Sequence, residues 1–103
     1  MGDKTYFVYI VASASRVLDA GVTSNLMARV WQHKQGTVAG FSRKYRTKEL
    51  MWFETFGEIR DAIECEKRIK GWRRSKKIAL IQKMNPHWKD LSAEWYPGAT
   101  LIV

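Results

Sequence analysis

Residues 58–77 read EIRDAIECEKRIKGWRRSKK, a stretch with helical periodicity that ends in a dense group of cations. At about 100° per residue it predicts a helix with Ile59, Ala62, Ile63 and Ile69 on its apolar side, and Glu66 pointing into the middle of that side. Burying an unpaired ionised carboxylate costs several kcal/mol, so Glu66 requires a metal, a cation or a cleft. The alternative is that Glu66 lies at the end of the stripe and pairs with a cation of another element.

Seven lysines and arginines and no acid occur between positions 67 and 77. Four of them form what we call the basic run, namely Arg73, Arg74, Lys76 and Lys77. An inward-facing acid beside such a patch indicates a metal-binding or acid/base group at the edge of a surface that attracts polyanions. A solvated charged face is the alternative for the run.

The composition predicts one basic, folded domain. The chain has 103 residues, a formal charge of +8 and 46% hydrophobic residues, which favours nucleic acid over an anionic membrane as the partner. No apolar run approaches 18 residues and no signal peptide is recognisable, so we expect a cytoplasmic protein without a membrane segment. The single Cys65 excludes an internal disulfide, and the lack of a Cys/His cluster in the sequence argues against a structural zinc site. We expect a domain over residues 1–95 and a tail over 96–103.

Three apolar, β-branched segments predict strands at residues 5–12, 16–22 and 49–56. Asp19 is a poor strand residue and needs an explanation. Helices are predicted from about Asn25 to Gly36, with Thr23 or Ser24 as the cap, over residues 58–70, and up to Pro86. The last is expected to bury the apolar residues Ile78, Ala79, Ile81 and Met84. The order strand, strand, helix, strand, helix, helix predicts a small α+β sheet flanked by helices.

Two further features of the sequence are typical of proteins that bind nucleic acid. Arg29 and His33 are four residues apart and therefore neighbours on the surface of their helix. Residues 37–48 are expected to form a connection in which Arg43 and Lys44 alternate with Phe41 and Tyr45. Cations with aromatic rings suit phosphate contact and base stacking, and a solvated loop anchored by two rings is the alternative.

Phe7-Val8-Tyr9, Asp19-Ala20-Gly21, the helix with Arg29 and His33, and Glu66 follow one another in an order and spacing that resembles the GIY-YIG nuclease family. The resemblance runs from about Tyr6 to Trp95 and is most specific for small single-domain bacterial members. Segments similar to that group are GFSRKY at 40–45, EKRIKGW at 66–72 and NPHWKDL at 85–91.

The resemblance implies a three-stranded antiparallel sheet and phosphodiester cleavage, of DNA in the first instance, assisted by one Mg²⁺ or Mn²⁺. It implies that Glu66 binds the cation, that Arg29 meets the growing phosphate charge, and that Tyr9 or His33 orients or deprotonates the attacking water. Asn85 is a weaker candidate for binding the leaving side. The nucleic-acid surface would comprise Arg43, Lys44, Tyr45, Lys70 and the basic run. Without the family, Tyr9 would be interpreted as a core aromatic, His33 as a surface histidine and Arg29 as half of a surface ion pair.

Asp19 stands where the family's second motif has a tyrosine. Its carboxylate either joins the metal site or acts as a base, or it marks a catalytically silent nucleic-acid-binding protein that kept the fold. Convergence of Asp19 and Glu66 would favour the enzyme, and pairing of Asp19 with an arginine would favour the silent binder. A basic ribosome- or membrane-associated protein is a third hypothesis, and it leaves Glu66 unexplained.

Overall fold

A computed structural model describes residues 4–38 and 40–96. Its elements in chain order are β1 (Tyr6–Ala12), β2 (Leu18–Thr23), α1 (Leu26–Gln35), α2 (Phe41–Tyr45), β3 (Glu49–Phe56), α3 (Ile59–Lys70) and α4 (Arg74–Met84). The strands form one antiparallel sheet in the order β2-β1-β3. The predicted α+β class, the antiparallel sheet and the order of the major elements are confirmed.

The central strand β1 is buried on both faces, which explains why its residues do not alternate between apolar and polar. Val8 and Ile10 belong to the core on one side of the sheet, with Ala62 and Ile69 of α3 and Ile81 of α4. Tyr9 and Val11 belong to the core on the other side, with Leu26 and Val30 of α1. The side chain of Tyr9 therefore projects towards the layer that contains α1.

The β1–β2 hairpin begins its second strand later than the sequence predicts. Arg16 has a φ of 66° and belongs to a turn, in which the Arg16 amide donates to the Ser13 carbonyl at 2.9 Å and the Val17 amide donates to the Ser13 hydroxyl at 2.9 Å. The predicted strand start at Arg16 is thus wrong, because the left-handed turn delays the strand until Leu18. Arg16 instead stacks its guanidinium over Trp88, 4.3 Å from the ring centroid.

The ends of α1 agree with the prediction except for the capping residue. Asn25, rather than Thr23 or Ser24, is the N-cap, and its Oδ1 accepts a bond from the Ala28 amide at 3.1 Å. Gly36 ends the helix with a φ of 72°, a left-handed conformation that glycine adopts without steric cost. Arg29 and His33, four residues apart, therefore lie on the same side of α1.

Residues 37–48 are not simply a connection, because they include the short helix α2. It lies between two residues with positive φ, Gly40 at 78° and Arg46 at 56°. Its Ser42 is buried and bonded across the chain to α1. A segment of five residues is too short to show a helical period, and its tertiary contact with α1 stabilises it.

The apolar faces of α3 and α4 differ from the prediction. Ile59 and Ile63 are exposed, because α3 packs through a stripe spaced at i, i+3, i+4 and i+7 that consists of Ala62, Cys65, Glu66 and Ile69. Ala79 and Met84 of α4 are also exposed, whereas Ile81 is buried and Leu80 packs partly against the core. Glu66 does lie in the stripe, as predicted.

Turns after α4 cover the outer edge of β3. The Leu91 amide donates to the Leu50 carbonyl at 2.8 Å, and the Leu50 amide donates to Asp90 Oδ1 at 3.0 Å. Lys34 of α1 holds Asp90 Oδ2 at 2.6 Å. Next to these bonds, a bulge offsets the β1–β3 register between Ile10 and Val11.

Three tryptophans of the C-terminal part of the chain pack against the two cores. Trp72 and Trp88 contact the core on the α3 and α4 side of the sheet, and Trp95 contacts the other core. Of the predicted tail, residues 97–103 lie outside the described residues. Tyr96 is described, and its hydroxyl donates to the Met27 carbonyl at 2.7 Å.

Candidate active site

One open cleft of about 350 Å³ collects polar side chains from five elements. They are Tyr9 of β1, Asp19 of β2, Arg29 and His33 of α1, Ser42 of α2, and Glu66 and Lys70 of α3. The structure therefore brings together all five residues that the sequence suggested for catalysis, although they span 58 positions of the chain. Lys70, suggested for nucleic-acid contact, lies in the cleft with them.

Tyr9 is at the centre of this group. Its hydroxyl oxygen accepts a bond from Arg29 Nε at 3.1 Å and lies 3.0 Å from His33 Nε2. Because the arginine can only donate, the phenolic proton is free to be donated to the imidazole nitrogen. Gly21 makes this position possible, since a Cβ on Gly21 would come within 2.3 Å of the Tyr9 hydroxyl.

His33 is buried rather than on the surface, with 3% of its area exposed. Its Nδ1 lies 2.8 Å from the Ser42 hydroxyl, which also bonds to the hydroxyl of Thr47. Burial, together with the nearby charge of Arg29, lowers the pKa of His33 to about 4, against weaker opposing effects of Asp19 and the Thr47 backbone. The imidazole is therefore neutral at pH 7, with Nδ1–H directed to Ser42 and Nε2 open to the proton of Tyr9.

Tyr9 keeps its proton in the resting cleft. Burial raises the pKa of the phenol, and this effect exceeds the lowering caused by the hydrogen bond and the charge of Arg29. The resting arrangement is thus a neutral phenol that donates to a neutral imidazole. Arg29 is already positioned to stabilise a phenolate if that proton moves to His33.

Glu66 reaches the cleft from α3 with 14% of its side chain exposed, and its Oε2 lies 3.0 Å from Lys70 Nζ. The partner is on the same helix, not on another element. Lys70 itself is 53% exposed, so this ion pair is open to water and is readily exchanged for another cation. The Glu66 carboxylate therefore lies in the cleft and not in the apolar core.

Asp19 is explained by strand register. Tyr9 pairs with Gly21 and Val11 pairs with Asp19, and alternate residues of a strand share a face. The carboxylate therefore lies on the face of Tyr9 and lines the same cleft as Glu66. Within residues 4–38 and 40–96, Asp19 has no ion-pair partner within 4.0 Å, so the arginine pairing that would favour a silent binder does not occur there.

The donor set of the cleft suits a hard divalent cation. Among the described residues, no three His, Cys, Asp or Glu side chains cluster closely enough to hold a metal ion by themselves. Mg²⁺ and Mn²⁺ prefer carboxylate oxygen, and Mg²⁺ is usually held by one or two carboxylates, water and substrate phosphate. Glu66 and Asp19 supply carboxylates of that kind.

Residues 5–79 match the GIY-YIG catalytic domain family. The chain belongs to the GIY-YIG family. A UPF0213 protein of Bacillus pumilus is 34% identical over 84 residues, which span 82% of this chain and 86% of that protein. A UPF0213 protein of Pediococcus pentosaceus is 33% identical over 78 residues, spanning 76% and 82%. These small bacterial proteins are of the group that the sequence resembled.

A solved structure supports the same fold. The NMR structure of a UPF0213 protein from Bacillus halodurans aligns with a TM-score of 0.55, at 21% identity, over 87% of this chain and 97% of that chain. GIY-YIG domains are nuclease-type domains that interact with nucleic acid. In the part of the chain that the structure describes, no helix combines the length and apolarity needed to cross a membrane.

Apart from Lys70 in the cleft, the suggested nucleic-acid residues of this GIY-YIG domain lie on two segments, α2 and the basic run. Arg43, Lys44 and Tyr45 belong to α2 and are exposed, and α2 lines the cleft through Phe41 and Ser42. In the basic run, Arg73, Arg74 and Lys76 are exposed and Lys77 is half-buried, with Lys76 Nζ 4.4 Å from the centroid of the Trp72 ring.

Sequence reasoning missed Ser42 and Thr47 as supports of His33. The signal available was the segment GFSRKY, which contains Ser42 but does not reveal a partner nine residues earlier. Asn85 lies elsewhere, because its buried amide donates to the Met51 and Lys89 carbonyls at 3.2 and 2.7 Å and accepts from the Lys89 amide at 3.0 Å. It stabilises the bulged strand and the turn after α4, and it does not line the cleft.

Proposed function

We propose that this GIY-YIG domain hydrolyses phosphodiester bonds of DNA, with Mg²⁺ or Mn²⁺ as its cofactor. The observation that carries the proposal is the Tyr9 hydroxyl, bonded at once to Arg29 and His33 in the cleft that contains Glu66. A surface built only to bind polyanions needs cations, and has no use for a buried phenol and imidazole arranged for proton transfer.

The base in this proposal is His33 acting through Tyr9. The attacking water gives its proton to the Tyr9 oxygen as the phenolic proton passes to His33 Nε2, which produces an imidazolium. A phosphate in the cleft offsets the charge of Arg29, one of the causes of the low pKa of His33, so substrate binding makes the imidazole a stronger base. Ser42 holds the ring in position from the other side.

Arg29 and Glu66 act on the phosphate side. The guanidinium of Arg29 uses Nε for Tyr9 and Nη1 for Gln32, and its other donors meet the charge that grows on the phosphate oxygens. Glu66, with Asp19 as a second carboxylate, would hold the divalent cation, which when bound polarises the phosphate and stabilises the leaving oxygen. With Glu66 engaged as a metal ligand, Lys70 would be free of its ion pair and available to contact the DNA backbone.

A catalytically silent nucleic-acid-binding protein is the second candidate, since Asp19 replaces the tyrosine of the second motif. Asp19→Tyr distinguishes the two. For the enzyme with two metal-binding carboxylates, this change reduces existing cleavage. For the silent binder, restoring the ring creates or sharply increases cleavage.

The central test compares wild type, Asp19→Tyr and Glu66→Gln on end-labelled single- and double-stranded DNA with Mn²⁺, Mg²⁺ or a chelator. We expect metal-dependent cleavage by wild type and none by Glu66→Gln. That variant should remain folded, because the pair it loses is an i,i+4 pair within one helix whose lysine is 53% exposed, and such helix pairs contribute about 0.3–0.5 kcal/mol. If neither wild type nor Asp19→Tyr cleaves any substrate, and Glu66→Gln binds DNA as wild type does, the enzymatic proposal is refuted.

Metal binding has its own readout that does not depend on cleavage. A cation that binds only the folded state raises the melting temperature as its concentration increases. We expect Mn²⁺ to stabilise wild type, Asp19→Asn to weaken that effect, and Glu66→Gln to remove it. Equal stabilisation of all three proteins would exclude both carboxylates as ligands.

A further inference from the structure

Two aromatic rings of α2 stand out by their exposure. Phe41 is 49% exposed and Tyr45 is 40% exposed, and among the other Phe, Tyr and Trp residues that the structure describes only Trp31, at 36%, is also exposed. Their ring centroids lie 4.6 Å apart at an interplanar angle of 45°. Leaving two large rings in water forgoes the stabilisation that their burial would provide, and it calls for a ligand that covers them.

The position of the pair identifies that ligand as part of the nucleic acid. Phe41 lines the catalytic cleft together with Tyr9 and Glu66. The next residue, Ser42, is buried and bonded to His33, so α2 holds the rings at a fixed place at the mouth of the cleft. A strand whose phosphate enters the cleft would therefore have Phe41 beside it.

The charges around the rings fit a nucleotide rather than an apolar peptide. Arg43, Lys44 and Arg46 are exposed on the same segment, and Lys44 Nζ lies 5.3 Å from the centroid of the Tyr45 ring. Aromatic faces interleaved with cations bind bases by stacking and the backbone by charge. This combination distinguishes the α2 surface from the basic run. The aromatic residue next to that run, Trp72, is half-buried against the core.

We propose that Phe41 and Tyr45 form a stacking platform for an unpaired base next to the scissile phosphate, which makes single-stranded or locally unpaired DNA the substrate class. The inference rests on the proposed function only for its relation to the scissile phosphate. A base inside a duplex has both faces covered by its neighbours, so a ring on the protein surface can stack only on a base that is unpaired or displaced.

The test measures binding without metal, so that it is independent of cleavage. The probes are fluorescein-labelled dT20 and a labelled 20-base-pair duplex, and binding is followed by anisotropy with chelator present. We expect Phe41→Leu with Tyr45→Leu to weaken dT20 binding about tenfold or more, since stacking on aromatics contributes that much per base. Duplex binding should change less than twofold, because the cations remain.

Two matched variants complete the experiment. Phe41→Trp with Tyr45→Trp keeps the π faces and should retain the affinity for dT20. Ile59→Leu with Ile63→Leu changes exposed apolar residues of α3 and should alter neither affinity. Equal losses for dT20 and duplex in the leucine variant, no loss for either, or loss of dT20 binding in the tryptophan variant would each overturn the stacking proposal. A protein that binds dT20 as described and cleaves nothing would instead refute the nuclease proposal alone.

Discussion

The buried, neutral imidazole of His33 predicts a specific dependence of stability on pH. Its pKa falls from the ordinary 6.5 to about 4 in the folded protein, whereas the unfolded chain binds a proton near 6.5. Each tenfold difference in proton affinity corresponds to about 1.4 kcal/mol, so protonation of His33 in the unfolded chain destabilises the fold by about 3 kcal/mol when the pH reaches 4. Above pH 6.5 the imidazole is neutral in both states and the effect is absent, and the stability falls progressively between pH 6.5 and 4 because the unfolded state then binds the extra proton.

His33→Gln removes the titrating group and provides the comparison. The variant will be less stable at pH 7, since its amide does not reproduce the bonds to Tyr9 and Ser42. Between pH 7 and pH 4, however, the free energy of unfolding of wild type should fall about 3 kcal/mol more than that of the variant. Urea unfolding at half-unit steps of pH measures both curves.

Other acids titrate equally in both proteins and cancel in the comparison. Asp90 is one of these acids. Burial acts to raise its pKa, but the hydrogen bonds from Lys34, Ser92 and Leu50 outweigh burial and lower the pKa, and they are present in both proteins. Parallel pH profiles for wild type and His33→Gln would refute the reasoning. So would an NMR titration of the His33 ring with a midpoint near 6.5, and exposed His87 supplies a second imidazole signal in the same spectrum.

Two further predictions concern the strand under Tyr9 and the charged surface. Gly21→Ala should destabilise the fold by about 1–3 kcal/mol and disturb the Tyr9 hydroxyl, because the added methyl overlaps that oxygen. Thermal melting measures the loss, and Gly57→Ala is the matched control, since its methyl would meet no atom within 4 Å. Changing the basic run to Gln should flatten the plot of log affinity against log salt by about 3 units, since each lost phosphate contact removes about 0.7–0.9. Changing Lys83 and Lys89 to Gln tests net charge alone, and an equal effect per charge removed would mean that the run is only a solvated face.

The large features of this fold are visible in the sequence because several local signals agree. The uninterrupted apolar segment of β1 predicts a central strand, and Gly36 predicts the end of α1. Glu66 was correctly expected in the packed stripe of α3, since helical geometry alone determines that position. The order of elements then follows from such local patterns with little ambiguity.

The remaining features depend on contacts between distant residues. Ile59 and Ile63 are as apolar as Ile69, and only the docking of α3 through Ala62 and Cys65 determines which of them are buried. His33 would be interpreted as a surface residue on its own helix, because Ser42, which receives Nδ1, comes from α2. The family resemblance supplied the grouping of the five cleft residues, and the strand register explains why Asp19 is among them.

The turn at Asp90 and Leu91 has a consequence for how copies of this protein behave towards one another. An outer strand with unpaired amides and carbonyls can recruit a strand from a second molecule and begin aggregation. Here the amide and the carbonyl of Leu50 are already taken by Asp90 and Leu91, and Lys34 fastens that turn to α1 with an ion pair. These two residues of the turn after α4 thus occupy hydrogen-bonding groups that a strand of a second molecule would otherwise use. They close part of the sheet edge against self-association.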